Sequence, residues 1–432
     1  MIFRSTKSDY CLKNDVKNCD CLTKRKAFEL LKKEINKNKQ FLASEQCKDT
    51  GKTIKYCLIE IDRCLFIIDL LLKNEDENKI FEVKEDYYDC IATEMLIPIG
   101  RVLAFTPVSS PYSSIIHKLC AAILYGNQIF WKPSPEASNC SVVLYEIINN
   151  TVNKYIKNAV NIILIENNKV EKLLKIDFFD CLLFTGSSNI AKIIKPIIGR
   201  KRAVFETGSC AMAYISQYTN FDLSILTNKI LDAAFAQDGK RCIALKNLFI
   251  NEKIFDKMIS LIKTKVSEIY NLNIYYGNSD CLMSEEKVLN NTELLRNLNN
   301  LIENNYSIIA KRKDNLPIIL YDNNSKTKSI NELFGAVLCI HCVNSLADIS
   351  DEYYNVSTLS STIYSNKDNE INEFVSRCCN CGTICINFGP NKRFDSLPFG
   401  GYSNENENKE SLQSLKYILT KQQYIIKNKI DN

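Results

Sequence analysis

From residue 101 onward, short apolar runs alternate with stretches whose apolar residues return at helical spacing, and few patterns narrow the choice of fold as much. Residues 101–105, 128–132, 161–165 and 180–184 read as strands, with helices over 111–125, 137–148 and 188–198 among them. A second series follows residue 206. It holds a helix over 222–237, a strand over 244–250, helices over 252–269 and 285–303, and strands near 336–343, 360–364 and 383–387. Strands and helices alternating at this length predict parallel sheets covered by helices, with ligands at the carboxyl ends of the strands. A chain of 432 residues has room for two such lobes. No G-x-G-x-x-G occurs, so the usual dinucleotide fingerprint is missing.

Ahead of this alternation, residues 24–73 carry two blocks of helical periodicity. One runs through Ala27, Phe28, Leu30 and Leu31, the other through Ile59, Ile61, Leu65 and Ile68, and Thr50-Gly51-Lys52-Thr53 reads as the turn between two helices. Residues 86–97 and 422–426 read as strands. The opening Met1-Ile2-Phe3-Arg4 has no apolar h-region after it, which speaks against a cleaved export signal. The best apolar run, 64–72, is short and holds Asp69, so it reads as a buried helix and not a membrane span. Nineteen cysteines without an export signal fit reduced thiols in a cytoplasm. Cys378 and Cys381 form a C-x-x-C with no second pair or His nearby, so packing is expected there and no metal site. A net charge of +5, mixed along the chain, marks a solvated surface and no nucleic-acid partner.

Three pieces carry chemistry: Phe184-Thr185-Gly186-Ser187, Phe205-Glu206-Thr207-Gly208 and Gly239-Lys240-Arg241-Cys242-Ile243-Ala244. A cysteine thiolate can attack a carbonyl carbon, a carboxylate can take a proton from thiol or water, and a Gly-Ser turn opening a helix can hold a phosphate. Together they suggest covalent chemistry beside a nucleotide. Their order resembles the F-T-G-S, E-L-G-G and G-Q-x-C patterns of the aldehyde dehydrogenase superfamily. That family's later E-x-F-G-P and P-F-G-G patterns resemble Glu332-Leu333-Phe334-Gly335-Ala336 and Pro398-Phe399-Gly400-Gly401. Arg241, Ala244 and Lys246 also match the non-phosphorylating glyceraldehyde-3-phosphate dehydrogenase branch, and Arg393-Phe394-Asp395-Ser396-Leu397-Pro398 is similar to the R-x-D-x-[LM]-P of relatives acting on small polar aldehydes such as lactaldehyde.

The resemblance implies that Cys242 attacks an aldehyde to give a thiohemiacetal, that hydride leaves to NAD or NADP, and that Glu206 is the base for hydrolysis of the thioester. It implies cofactor contacts from Thr106, Lys132, Ser134, Gly186, Ser187, Thr207, Glu332 and Phe334, and no metal. Lys132 closes a strand in a K-P-S motif, but the acidic residue expected three positions later is Pro135, with Glu136 one place late. Without that carboxylate a 2′-phosphate is repelled less, so NADP is as acceptable as NAD. Ser109 stands where relatives carry the Asn that donates to the developing oxyanion, a donor worth roughly 10²–10³ in rate. Ser209 replaces a usual Gly, and the glycines expected after Gly401 are absent. Arg393, with Lys392, is the candidate contact for an anionic substrate.

The fold implied is α/β: a Rossmann-like cofactor domain from residues 1–85 and 98–206 with 388–411 returning to it, a catalytic domain over 207–387, and a small β oligomerisation element from 86–97 and 412–432. A homodimer or homotetramer follows from that last element, whose exposed edges need a partner. The main reading is NAD(P)-dependent oxidation of a small polar aldehyde. Its alternative is a degenerate relative with little activity, serving as a cofactor-binding or assembly subunit; a CoA-acylating enzyme fits less well, because that branch generally lacks the Glu at position 206.

Overall fold

The computed structural model describes residues 16–17, 19–73, 81–86, 89–272, 292–303, 306–311, 317–322, 333–356, 358–402 and 412–428. Three helices open it, α1 (Cys21–Lys37), α2 (Lys39–Thr50) and α3 (Ile54–Lys73). The sequence periodicity suggested two. The extra break falls at Asn38, whose side-chain amide donates to the Glu34 carbonyl at 2.8 Å and competes with the helical ladder. Gly51, at φ 73°, ends α2 in the left-handed conformation that only glycine adopts freely.

Next come β1 (Phe81–Asp86), β2 (Cys90–Pro98), β3 (Arg101–Thr106), α4 (Pro111–Leu124), β4 (Gln128–Pro133), α5 (Ser138–Tyr155) and β5 (Val160–Ile162). They are followed by α6 (Val170–Lys175), β6 (Cys181–Thr185), α7 (Ser188–Ile198) and β7 (Arg202–Glu206). Strands β3 to β7 form a five-stranded, wholly parallel sheet in the order β5-β4-β3-β6-β7. All six residues of β3 are buried, as a central strand covered on both faces requires. The strand expected over 86–97 is β2, and β1, which the sequence did not suggest, precedes it and pairs with it antiparallel.

The second lobe contains β8 (Ala211–Ile215), α8 (Leu223–Phe235), β9 (Leu245–Asn251), α9 (Glu252–Leu272), α10 (Thr292–Glu303), β10 (Tyr306–Lys311), β11 (Ile318–Asp322) and β12 (Val337–Val343). It continues with α11 (Asp351–Asn355), β13 (Ser361–Tyr364), α12 (Asp368–Arg377) and β14 (Ile384–Ile386). Its seven strands run β10-β11-β12-β9-β8-β13-β14, parallel except for the β10–β11 edge pair. The expected helix over 285–303 is described from Thr292. Finally α13 (Leu412–Ile418) leads into β15 (Thr420–Asn428), which pairs antiparallel with β2 in a three-stranded sheet, β1-β2-β15. Sixteen of the described cysteines are free thiols, Cys242 among them. Among the described residues, no helix is long and apolar enough to cross a membrane.

Candidate active site

A cavity of about 1170 Å³ opens at the carboxyl ends of the five-stranded sheet and is walled on its far side by the second lobe. Thr106, Lys132, Thr185 and Glu206, which end or nearly end β3, β4, β6 and β7, all line it. The alternation of strands and helices is what brings them together, since parallel strands present all their carboxyl ends to one side.

Glu206 is buried. Its Oε2 accepts from Thr185 Oγ1 at 3.0 Å, and Thr185 accepts in turn from Lys118 Nζ at 2.8 Å. Lys118 Nζ itself lies 3.9 Å from the carboxylate. Arg393 Nη1 approaches Oε1 at 3.5 Å, while its Nε stands 3.1 Å from Asp395 Oδ1 and its guanidinium stacks 3.9 Å over the Phe399 ring. Asp395 is gripped from the other side by Arg63, which donates from Nη2 at 2.7 Å and from Nε at 3.0 and 3.2 Å. Burial raises the Asp395 carboxyl, but the hydrogen bonds and charge of Arg63, helped by Arg393 and His117, hold it below its ordinary value.

Cys242 enters the same cavity from the loop before β9. Gln237, Asp238 and Gly239 precede it with φ of 56°, 56° and 64°, a left-handed run costly for the first two. A Cβ on Gly239 would stand 2.2 Å from the Gly335 carbonyl oxygen. Lys246 explains the closeness: its buried ammonium donates to both the Gly239 and Gly335 carbonyls, at 2.8 and 2.6 Å, and pins the Cys242 loop against the segment carrying Phe334. Ser209, instead of merely crowding the backbone, donates to the Cys242 carbonyl at 3.0 Å. Burial pushes the Cys242 thiol up and the Glu206 charge adds to that; Arg393, Arg241 and Arg63 pull the other way without cancelling it.

Ser109 lines the cavity from the bend between β3 and α4. At the opposite end, Lys132 Nζ donates to Asn167 Oδ1 at 3.2 Å and lies 5.6 Å from the Phe105 ring centre, its amine lowered by burial. Ser134 ties its N–H to the Thr106 carbonyl, and the Thr106 hydroxyl accepts from the Trp131 indole at 2.8 Å. Gly186 donates its N–H to the Glu206 carbonyl. Ser187 caps α7 by accepting from the Ile190 N–H, which leaves its own hydroxyl proton for a ligand at the helix N-terminus. Thr207 and Phe334 line the wall, and Glu332 lies outside the described residues. A cationic end, a capped helix N-terminus and the apolar side chains of Val170, Leu174 and Ile194 form a donor set that fits a dinucleotide. Arg63 was not anticipated from sequence. Its signal was a charge three residues after Glu60 on a helix otherwise read for its apolar stripe.

Residues 12–421 match the aldehyde dehydrogenase family. The chain belongs to that family. This dehydrogenase is 26% identical to a lactaldehyde dehydrogenase of Methanococcus aeolicus over 413 residues, 93% of this chain and 87% of that one. It is 25% identical to a sulfoacetaldehyde dehydrogenase of Neptuniibacter caesariensis over 76% of this chain and 71% of that one. Among solved structures it superposes on glyceraldehyde-3-phosphate dehydrogenase GapN of Methanocaldococcus jannaschii, complexed with NADP, with TM-score 0.86 and 24% identity, covering 97% of this chain and 92% of that one. The enzyme is an oxidoreductase that acts on an aldehyde with NAD or NADP.

Proposed function

We propose that the dehydrogenase oxidises a small aldehyde bearing an anionic group to its carboxylic acid, with Cys242 as nucleophile and Glu206 as base. The observation that carries this is the charge around the reacting pair. Arg63, Arg241, Arg393 and Lys118 against Asp395 and Glu206 leave positive charge in excess beside a neutral thiol. Of the aldehydes in the relatives' names, sulfoacetaldehyde and glyceraldehyde 3-phosphate carry an anionic group while lactaldehyde is neutral, and all three share a small polar body.

In the reaction, Cys242 Sγ bonds to the carbonyl carbon while its proton leaves to solvent water, and Ser109 with the Cys242 N–H donates to the developing oxyanion. NAD or NADP, when bound, supplies the hydride acceptor. Lys132, Ser134 and Asn167 hold the ribose end, Ser187 and the α7 N-terminus the pyrophosphate, and Phe334 the nicotinamide end. With a cation at Lys132 and Pro135 in place of a carboxylate, a 2′-phosphate is accepted. Glu206 then takes a proton from water, which attacks the thioester and frees the acid.

The division into cofactor, catalytic and oligomerisation units and the cytoplasmic setting belong to the same proposal. The degenerate-subunit reading is not favoured, because Cys242 and Glu206 share one cavity with Lys132, Ser134 and Ser187. Single-turnover traces of NAD(P)H formation test it. A burst dependent on Cys242 is expected, absent in Cys242→Ala, with kcat/KM for glyceraldehyde 3-phosphate at least about tenfold above that for glyceraldehyde. A burst in Cys242→Ala overturns the nucleophile, and equal kcat/KM overturns the anionic substrate.

A further inference from the structure

The Glu206 carboxylate is engaged on both oxygens, and the two engagements are unequal. Oε2 accepts from Thr185, whose hydroxyl receives Lys118. An ammonium can only donate, so the single Thr185 proton has to point at Glu206, and the polarity of this chain is fixed. Lys118 is 1% exposed and rooted in the buried helix α4. On the other oxygen, Arg393 reaches Oε1 from a loop after β14, at 3.5 Å, the outer limit of a hydrogen bond. Its Nε faces Asp395 without hydrogen-bond alignment. Arg393 is 17% exposed, so it is the partner that can move.

A carboxylate oxygen facing a guanidinium is a poor acceptor for a water proton, because transfer would leave a neutral acid against an unpaired cation. We propose that Arg393 restrains Glu206 in the substrate-free enzyme and that the anionic group of the bound aldehyde, by drawing the guanidinium to itself, frees Oε1 to act on water. Substrate charge is then read in turnover as well as in binding. The proposal rests on the anionic-aldehyde reading above. The step concerned is thioester hydrolysis: Oε1 takes one proton from water, the water oxygen bonds to the thioester carbon, and the C–S bond breaks to leave the acid and the Cys242 thiolate, with no change of oxidation state. Arg393 is a specificity and positioning residue for that step, acting through Glu206.

The test compares post-burst rates for glyceraldehyde 3-phosphate and glyceraldehyde in wild-type, Arg393→Gln and Arg393→Lys enzyme. In wild type, kcat for the phosphorylated aldehyde exceeds that for the neutral one several-fold. Arg393→Gln raises kcat for glyceraldehyde several-fold while raising KM for glyceraldehyde 3-phosphate, so the two kcat values converge; Arg393→Lys stays near wild type. Added inorganic phosphate speeds the post-burst turnover of glyceraldehyde by wild type, which needs no variant to fold. A fall in glyceraldehyde kcat in Arg393→Gln, or no stimulation by phosphate, overturns the restraint. A wild-type preference confined to KM, with equal kcat, also overturns it but leaves the anionic substrate standing, whereas equal kcat/KM removes both.

Discussion

Cys242 sits among charges of both signs, and which of them wins sets the pH at which the residue is reactive. Burial comes first and raises the thiol, Glu206 adds to it, and the three guanidiniums of Arg393, Arg241 and Arg63 oppose without prevailing. The thiolate is the nucleophile, so alkylation of Cys242 in the cofactor-free enzyme is expected to rise steadily through the neutral range and still be climbing near pH 9, where a free thiol of pKa about 8.5 is already levelling off. Iodoacetamide labelling followed by peptide mass spectrometry separates it from the exposed Cys21, Cys342 and Cys379. A plateau below pH 8 would show the arginines dominating. Residues embedded in motifs were legible before the structure: Cys242, Glu206, Ser109, Lys132, Ser187 and Arg393 each sit at a turn or strand end, and the structure brings all six to one cavity. Arg63 was not, because its role depends on Asp395, 332 residues away. The periodicity on its helix also misled: Ile59 is 50% exposed, while Glu60 is buried.

That buried Glu60 gives helix α4 its orientation. Its Oε1 accepts from the N–H groups of Tyr112 and Ser113 at 2.9 and 3.1 Å, so a carboxylate from α3 caps the positive end of α4. Its Oε2 takes Gln46 at 2.6 Å and the Lys52 ammonium at 2.5 Å, and both members of the ion pair are nearly inaccessible to water. Lys52 comes from the turn between α2 and α3, which ties the three opening elements to the helix bearing Lys118. Breaking a buried pair from one side strands the other charge, at about 3–5 kcal/mol. Glu60→Ala is therefore expected to lower the unfolding free energy by about that much in urea titration, and to reduce kcat through the displaced Lys118–Thr185–Glu206 chain. A loss below about 1 kcal/mol would mean that Lys52 finds other solvation. Helices with a clear apolar face, such as α7 and α8, were read within two residues of their ends. Some misses have local causes: the Asn38 side chain splits an otherwise continuous helix, and β1 and β10, at sheet edges, carry too little apolar alternation to stand out; β7, β8 and β11 were missed as well, because short apolar runs cannot be assigned by periodicity alone.

At the scale of the whole molecule, the three-stranded sheet carries exposed surface that the chain alone does not explain. It is rooted firmly: Arg202 Nη1 donates to the carbonyls of Tyr417, Ile418 and Thr420, Asn127 donates to the Leu419 carbonyl, and the Ile99 N–H does the same. Beyond that root, β15 pairs with β2 over nine residues from Thr420↔Pro98 to Asn428↔Cys90, yet after Thr420 every described residue of β15 is exposed. Tyr424 and Ile426 are 60% and 71% exposed on an edge strand, an arrangement that invites pairing with another chain unless something covers it. A second copy is the occupant expected from the family resemblance. The substitutions Tyr424→Asp and Ile426→Asp together place charge on that surface without touching the cavity, whose lining comes from β3, β4, β6, β7 and the Cys242 loop of the same chain. Sedimentation velocity is expected to give a dimer or tetramer for wild type and a monomer for the double variant. The monomer should retain the Cys242-dependent burst if the cavity is self-sufficient, and lose it if the ribbon of one copy braces the loops of another. A wild-type monomer would show that the ribbon is a free edge and that its exposed side chains serve some other contact.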